Sequence, residues 1–554
     1  MVTTVRTTLE KVCPLLVLAA AFAAAAGGTT AKDGNGAAAR LFHTSDQCLA
    51  CHNGLTGPAG EDLSIGTDWG GSMMANSARD PYWQGSVRRE VMDHPGVREA
   101  IEGECSICHM PMARARAHAG GAEGRVFAHL PAGGGTARMD LLAADGVSCT
   151  LCHQIREEGL GEPESFVGGF SIDTITPWGE RRIFGPHDVD EGRKRIMRSS
   201  ASFEQERTVH MQESGLCGTC HTLYTTAYGP GGEEVGRLAE QMPFLEWKHS
   251  SYPETESCQD CHMREFESKV DITSVWGRPR SGFNPHVFRG GNFLVLRMLN
   301  RWRDELGTEA SPQELASSAA RTAAHLESDS ARVMVVETRV DGGVLEATVQ
   351  VENLTGHKLP SAYPSRRAWI HLVVRDAADD VVFESGAIRE DGSICGNDND
   401  EDASLHEPHH ELITSPDQVQ IYEPILGDPQ DEVTTGLLTA THYLKDNRLL
   451  PDGFDKATAH PDVAVYGAAR TDDDFLGGAD RVRYSVALGG AVGPFTVAAA
   501  LYYQPIGFRW AMNLAPYDAP EPRRFVDYYT EAAHASSVVL ATGSAVAQVP
   551  AAPP

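Results

Sequence analysis

Apolar positions recur at helical spacing over residues 292–306 and 313–326, and Ser311-Pro312 sets a start for the second of these helices. A third helix is predicted over 82–93, closed by His94 ahead of Pro95. From about residue 332 the period changes to two. Residues 333–340, a turn at Asp341-Gly342-Gly343 and residues 344–351 predict a β-hairpin. Further strands are predicted at 368–374, 381–384, 419–422, 482–488 and 495–503. Short strands with turn residues between them suggest a β-sandwich of about 200 residues. Across 40–290, by contrast, Gly, Pro and polar stretches interrupt brief helical patterns, which suits a region whose core is built around a cofactor.

The ends read differently. Arg6 and Lys11 precede an apolar run from Cys13 to Ala26, and small residues follow up to Gly27-Gly28. This is the pattern of a secretory signal peptide, cleaved after Ala26 or Ala31. The run is shorter than the roughly 20 apolar residues that a bilayer crossing needs, and no later segment approaches that length. The expected organisation is multidomain: a signal peptide at 1–31, a mainly α-helical and irregular domain built around cofactor at 32–290, a helical connector at 291–330, an all-β sandwich-like domain at 331–540 and a disordered tail at 541–554. An exported, periplasmic or extracellular protein without a transmembrane segment follows.

Composition narrows the function. Hydrophobic residues make up 41% and charged residues 22% of 554, which excludes a disordered or membrane-spanning chain. Asp and Glu outnumber Lys and Arg by 76 to 47, for a formal charge of -29. Such a surface repels phosphate backbones and excludes nucleic acid, while favouring partners with basic docking surfaces.

Ten of the 12 cysteines form five C-x-x-C pairs, each followed at once by histidine. They are Cys48, Cys51 and His52; Cys105, Cys108 and His109; Cys149, Cys152 and His153; Cys217, Cys220 and His221; and Cys258, Cys261 and His262. In C-x-x-C-H the thiols add across haem vinyl groups and the histidine becomes the proximal iron ligand. Zinc sites and disulfides also use C-x-x-C pairs, but neither needs the adjoining histidine. Five such coincidences have a chance probability of about 10⁻⁷ at this histidine content, so the sequence predicts five covalently bound haem c groups. With Cys13 in the signal segment, Cys395 has no disulfide partner and reads as buried or free.

A six-coordinate haem needs a second axial ligand, which largely decides carrier against catalyst. Eight further histidines fall between His43 and His286, and the preferred sixth ligands are His94, His210, His249 and His286. Met73, Met74, Met92 and Met211 are alternatives, whereas Met110 and Met263 follow proximal histidines and read as packing residues. No motif ends in lysine in place of histidine, which weakens an enzymatic reading.

The second half carries weaker signals. His406-Glu407-Pro408-His409-His410 matches H-E-x-x-H, but Pro408 opposes the helix a zinc protease needs. The acidic run at 397–402 offers oxygens for a calcium ion but lacks the glycine and terminal glutamate of an EF-hand, so a solvated turn is the plainer reading. His357, in Thr355-Gly-His-Lys-Leu-Pro360, is a candidate ligand or interface residue for the haem domain.

With these motifs in hand, the chain resembles the multihaem cytochromes of the cytochrome c-554/c-552 family over roughly 40–290. The resemblance rests on the C-x-x-C-H set and on surroundings such as Gly146-Val-Ser-Cys-Thr-Leu-Cys-His153 and Ser257-Cys-Gln-Asp-Cys-His-Met263. The segment Asn353-Leu-Thr-Gly-His-Lys-Leu-Pro-Ser-Ala-Tyr-Pro-Ser-Arg-Arg367 is similar to one in larger exported multihaem cytochromes. The family implies stacked, mainly histidine-ligated haems that pass electrons between periplasmic redox partners; this chain departs from it by a fifth motif and a long β region. Electron transfer is thus the favoured function. The alternatives are a redox enzyme acting on a nitrogen or sulfur oxyanion at a five-coordinate haem, with Arg114, Arg116 and Arg125 as candidate cations, and a scaffold role for the β region.

Overall fold

The computed structural model describes residues 40–549; the signal-peptide reading at 1–31 falls outside them. Residues 40–290 form short helices joined by irregular chain. The best formed, Pro81–Asp93, starts where Asp80 accepts from the backbone N–H groups of Tyr82 and Trp83 and stops at His94, before Pro95. The region is less purely helical than its sequence suggests. Arg181–Gly185 pairs in parallel with Phe203–Arg207, and Leu223–Tyr228 pairs antiparallel with Glu234–Gln241.

Two connecting helices follow. Phe293–Arg301 buries almost its whole apolar face, and Pro312–Asp329 begins with a Ser311/Glu314 capping box. Beyond them lie two larger sheets. In one, Ala331–Asp341 and Val344–Asn353 form the expected hairpin around Gly342 and Gly343, both at positive φ, which a two-residue turn of this type requires. Ala479–Ala487 and Leu412–Ile413 extend it. The other runs Ile421–Tyr422, Arg367–Arg375, Phe495–Gln504, Val538–Ala547, with Val381–Ser385 also paired to Arg367–Arg375. Alternate residues of both sheets, among them Val349, Val351, Leu372 and Leu501, enter one core. Tyr82 from the first half and Leu296 and Leu315 from the connecting helices join that same core.

Two expectations change. Residues 541–547 are not a disordered tail: they belong to the Val538–Ala547 strand, whose backbone pairs with Phe495–Gln504. Small Ala, Val and Gly side chains do not prevent a backbone ladder. The sheet region also contains a helix, Pro520–Ala532, with Pro522, Phe525, Tyr528 and Tyr529 on its buried face. It packs on Pro81–Asp93, where Tyr82 and Phe525 lie 4.8 Å apart and Arg88 pairs with Glu521 at 2.9 Å. A side chain at Gly85 would press on Leu514 and Pro522, so the two halves meet closely there. Among the described residues no helix is long and apolar enough to cross a membrane.

Candidate functional site

A cavity of about 1210 Å³ runs through the first half of the chain and against the second, and all ten motif cysteines and all five motif histidines line it. Each C-x-x-C pair sits on or beside a short helix: Asp46–Leu49, Arg98–His109, Cys149–Cys152, Ser214–Gly218 and Cys258–His262. One helical turn brings residues three apart to the same face, so both sulfurs of a pair point the same way. Local contacts fix these turns. Ser257 and Asp260 cap the last helix, and the Cys258 N–H donates to Ser214 Oγ at 3.0 Å, tying the fifth motif to the fourth. Gly218, inside the fourth motif, lies so close to the Phe244 ring that a Cβ would come within 2.8 Å of it.

Cysteines of different motifs lie side by side along this cavity. Cys48 neighbours Cys149, Cys108 neighbours Cys220 and Cys217 neighbours Cys258. Cys152 lies near both Cys217 and Cys220. The first motif therefore adjoins the third, the third the fourth, and the fourth both the second and the fifth.

Four of the five motif histidines share one orientation device. Nδ1 of His52 donates to Ile272 O at 2.7 Å, that of His109 to Ser77 O at 2.9 Å and that of His153 to Phe184 O at 2.7 Å. His262 Nδ1 bonds Arg289 O. A carbonyl only accepts, so the proton sits on Nδ1 and the Nε2 lone pair is left for another partner. Burial lowers the pKa of every motif histidine, to about 4 for His109 and His262, and so favours the neutral imidazole a metal requires. Trp83 lies flat against His109, ring centres 4.3 Å apart, and fixes its plane. Apolar walls, paired sulfurs and oriented neutral imidazoles fit haem c; a zinc site would instead gather its ligands around one point.

Of the sixth ligands predicted from sequence, His286 lies in the cavity wall. Its ring is 6.3 Å from that of His153, with the planes inclined by 24°, and its Nδ1 donates to Asn284 O at 3.1 Å. His94, His210 and His249 are not brought to the wall. His94 turns towards Thr439 Oγ1 at 3.3 Å, His210 donates from Nε2 to Ile155 O at 2.9 Å, and His249 donates from Nδ1 to Leu245 O at 2.7 Å. Three other histidines do line the cavity: His187, His325 and His357. His325 projects from a helix whose sequence gives no sign of a cofactor. Met73, Met74 and Met211 also reach the wall; Met92 is exposed, and Met110 packs in the core.

Elsewhere, side chains of the two candidate cation segments are engaged within the chain. In the acidic run, Asp400 forms a two-point ion pair with Arg367 at 2.8 and 2.9 Å, and Asp402 accepts from the Ser404 N–H at 2.9 Å. The H-E-x-x-H segment is a loop, with His410 bonded to Glu407 at 2.6 Å. The buried cluster of His409, Asp472 and Asp480 is closed on itself: His409 bonds Asp472 at 2.9 Å, Tyr422 donates to Asp480 at 2.7 Å, and Gln420 donates to His409 Nδ1 at 2.7 Å. Cys395 is half-buried and unpaired in any disulfide. Arg114, Arg116 and Arg125 do not line the cavity, and Arg125 pairs with Glu99 at the surface.

No family model matches the chain, and no curated protein matches it. Among solved structures, the chain is similar to a penta-heme cytochrome c552 from Thermochromatium tepidum, at 16% identity over 91% of this chain and 99% of that one, with a TM-score of 0.49.

Proposed function

We propose that the chain is an exported c-type cytochrome that holds five covalent haem groups and transfers electrons between redox proteins. The observation that carries this reading is the single cavity lined by all five C-x-x-C-H sets, with cysteines of adjoining motifs side by side. Bound haem c supplies a one-electron iron couple. The chain's own part is to hold and tune. Ten thiols provide thioether anchors, and His52, His109, His153, His221 and His262 provide proximal nitrogens. Main-chain carbonyls on Nδ1 of four of these rings set their tautomer and raise their basicity as ligands. Because a thioether sulfur sits at the porphyrin edge, neighbouring cysteines give a continuous order of motifs: first, third, fourth, then second or fifth.

The acidic surface would dock basic redox partners transiently. A small-molecule redox enzyme is the second reading, and the observation that favours it is Arg366, a cation in the cavity wall near His221. Intact mass and haem content of the exported protein test the first reading: five haems per chain are expected, and titratable motif thiols would overturn it. Low-temperature EPR with and without carbon monoxide separates the two. Low-spin irons that ignore the gas support the carrier, and a high-spin iron that binds it supports the enzyme.

A further inference from the structure

The loop that leaves the Val344–Asn353 strand carries His357 to the cavity wall, where its ring centre lies 6.3 Å from that of His262, with the planes 15° apart. His357 Nδ1 donates to Lys358 O at 2.9 Å, so its Nε2, like that of His262, keeps a lone pair. Two imidazoles bound on opposite sides of one iron, through metal–nitrogen bonds of about 2 Å, have ring centres roughly 6 Å apart. His153 and His286 show the same spacing.

The loop is built to hold this position. Asn353 ties it internally, accepting from the Thr355 N–H at 2.8 Å and donating to His357 O at 2.8 Å. Gly356 packs on Tyr252 and Trp247 so closely that a Cβ would lie 3.2 and 3.3 Å from their rings. Next to it, Lys358 pairs with Asp446 at 2.7 Å, Arg448 pairs with Asp446 at 2.7 Å and with Glu246 at 2.9 Å, and Glu246 accepts from the Lys358 N–H at 3.2 Å. All four charges are buried, two of each sign. Glu246 belongs to the Pro243–Lys248 helix, between the fourth and fifth motifs, so the network bolts the loop to the haem region.

We propose that His357 is the sixth ligand of the iron held by Cys258, Cys261 and His262, so that the sheet half of the chain completes a haem site of the other half. This rests on the reading that the fifth motif holds haem c. The rival is His325, whose ring is 6.4 Å from His262 but crossed at 68°, and whose Nδ1 is bonded to Asp329 at 2.9 Å on a partly open helix flank. The His325–Asp329 pair is partly open to solvent, whereas the network beside His357 is buried.

The test uses the purified holoprotein and its His357→Ala and His325→Ala variants, followed by haem content, low-temperature EPR and carbon monoxide difference spectra. In His357→Ala, five haems per chain with one low-spin iron turned high-spin and gas-binding is expected, and added imidazole should restore the low-spin signal. Unchanged spectra in His357→Ala, or the same change in His325→Ala alone, would overturn the assignment. Fewer than five haems in the unmutated protein would instead overturn the underlying reading. If His357→Ala does not accumulate, His357→Met keeps the side-chain bulk. A thioether ligand should then raise the potential of one haem and add its far-red absorption band, and a folded variant with neither change would refute the proposal.

Discussion

His153 and His286 both line the cavity, their ring centres 6.3 Å apart and each Nδ1 bonded to a main-chain carbonyl. Burial pushes the His286 pKa down to about 3, so its Nε2 stays unprotonated across the physiological range. His94 lacks this setting, since it faces Thr439 outside the cavity wall.

Replacing His286 by alanine should therefore convert one iron of the loaded protein from low-spin to high-spin and open it to carbon monoxide. His94→Ala should leave the spectrum as it was. EPR of the two variants decides, and the reverse pattern would remove His286 from the ligand set.

A second expectation concerns pH. Burial raises the Glu90 carboxyl to about 7, although its oxygens accept from the Leu437 and Leu438 N–H groups. Burial likewise raises Asp80 to about 6. The folded chain then keeps protons that the unfolded chain has released, so stability is fully present below the ordinary carboxyl pKa and falls as pH rises towards 7. Glu90 alone accounts for about 3 kcal/mol at most over that window. Glu90→Gln should flatten the fall of Tm with pH; an unchanged slope would assign the dependence to other groups.

How far the site could be read from sequence depends on how local each feature is. The five motif sets are contiguous, each in one stretch of chain, so their spacing marks them without the fold, and the structure places all of them along one cavity. Sixth ligands are different, because a ligand and its partner are joined by the fold and not by the chain. His286, which follows the last motif, does reach the cavity wall, as do His325 and His357, which stand far along the chain from any motif. His94 and His249 close helices near motifs, yet their helices turn them away from the cavity. The hairpin around Gly342-Gly343 was legible through its period of two and its turn residues. The Val538–Ala547 strand was not, because its small residues carry little hydrophobic pattern and its pairing is decided by the neighbouring Phe495–Gln504.

Partner docking gives a third expectation. With a formal charge of -29, encounter with a basic redox protein should be fast at low ionic strength and should slow as salt is added. Stopped-flow electron exchange measured from low to high salt checks this. Rates indifferent to salt with every basic partner would remove electrostatic docking from the proposed function.

The last expectation concerns the acidic run, where charge balance comes from within the chain. Arg367 and Asp400 are both buried and joined by two hydrogen bonds, and Arg367 also bonds Gln504 at 2.8 Å. Removing one partner strands the other charge away from water, which costs about 3–5 kcal/mol, whereas removing both costs less because no lone charge is left buried. Asp400→Ala and Arg367→Met should each lower Tm strongly, and the double variant should recover part of the loss. Because the guanidinium already neutralises Asp400, chelators and added calcium should leave the Tm of the unmutated protein where it was. A clear rise with calcium would mean that a cation binds these oxygens after all, and the same loss in single and double variants would show that the pair acts through packing and not through charge.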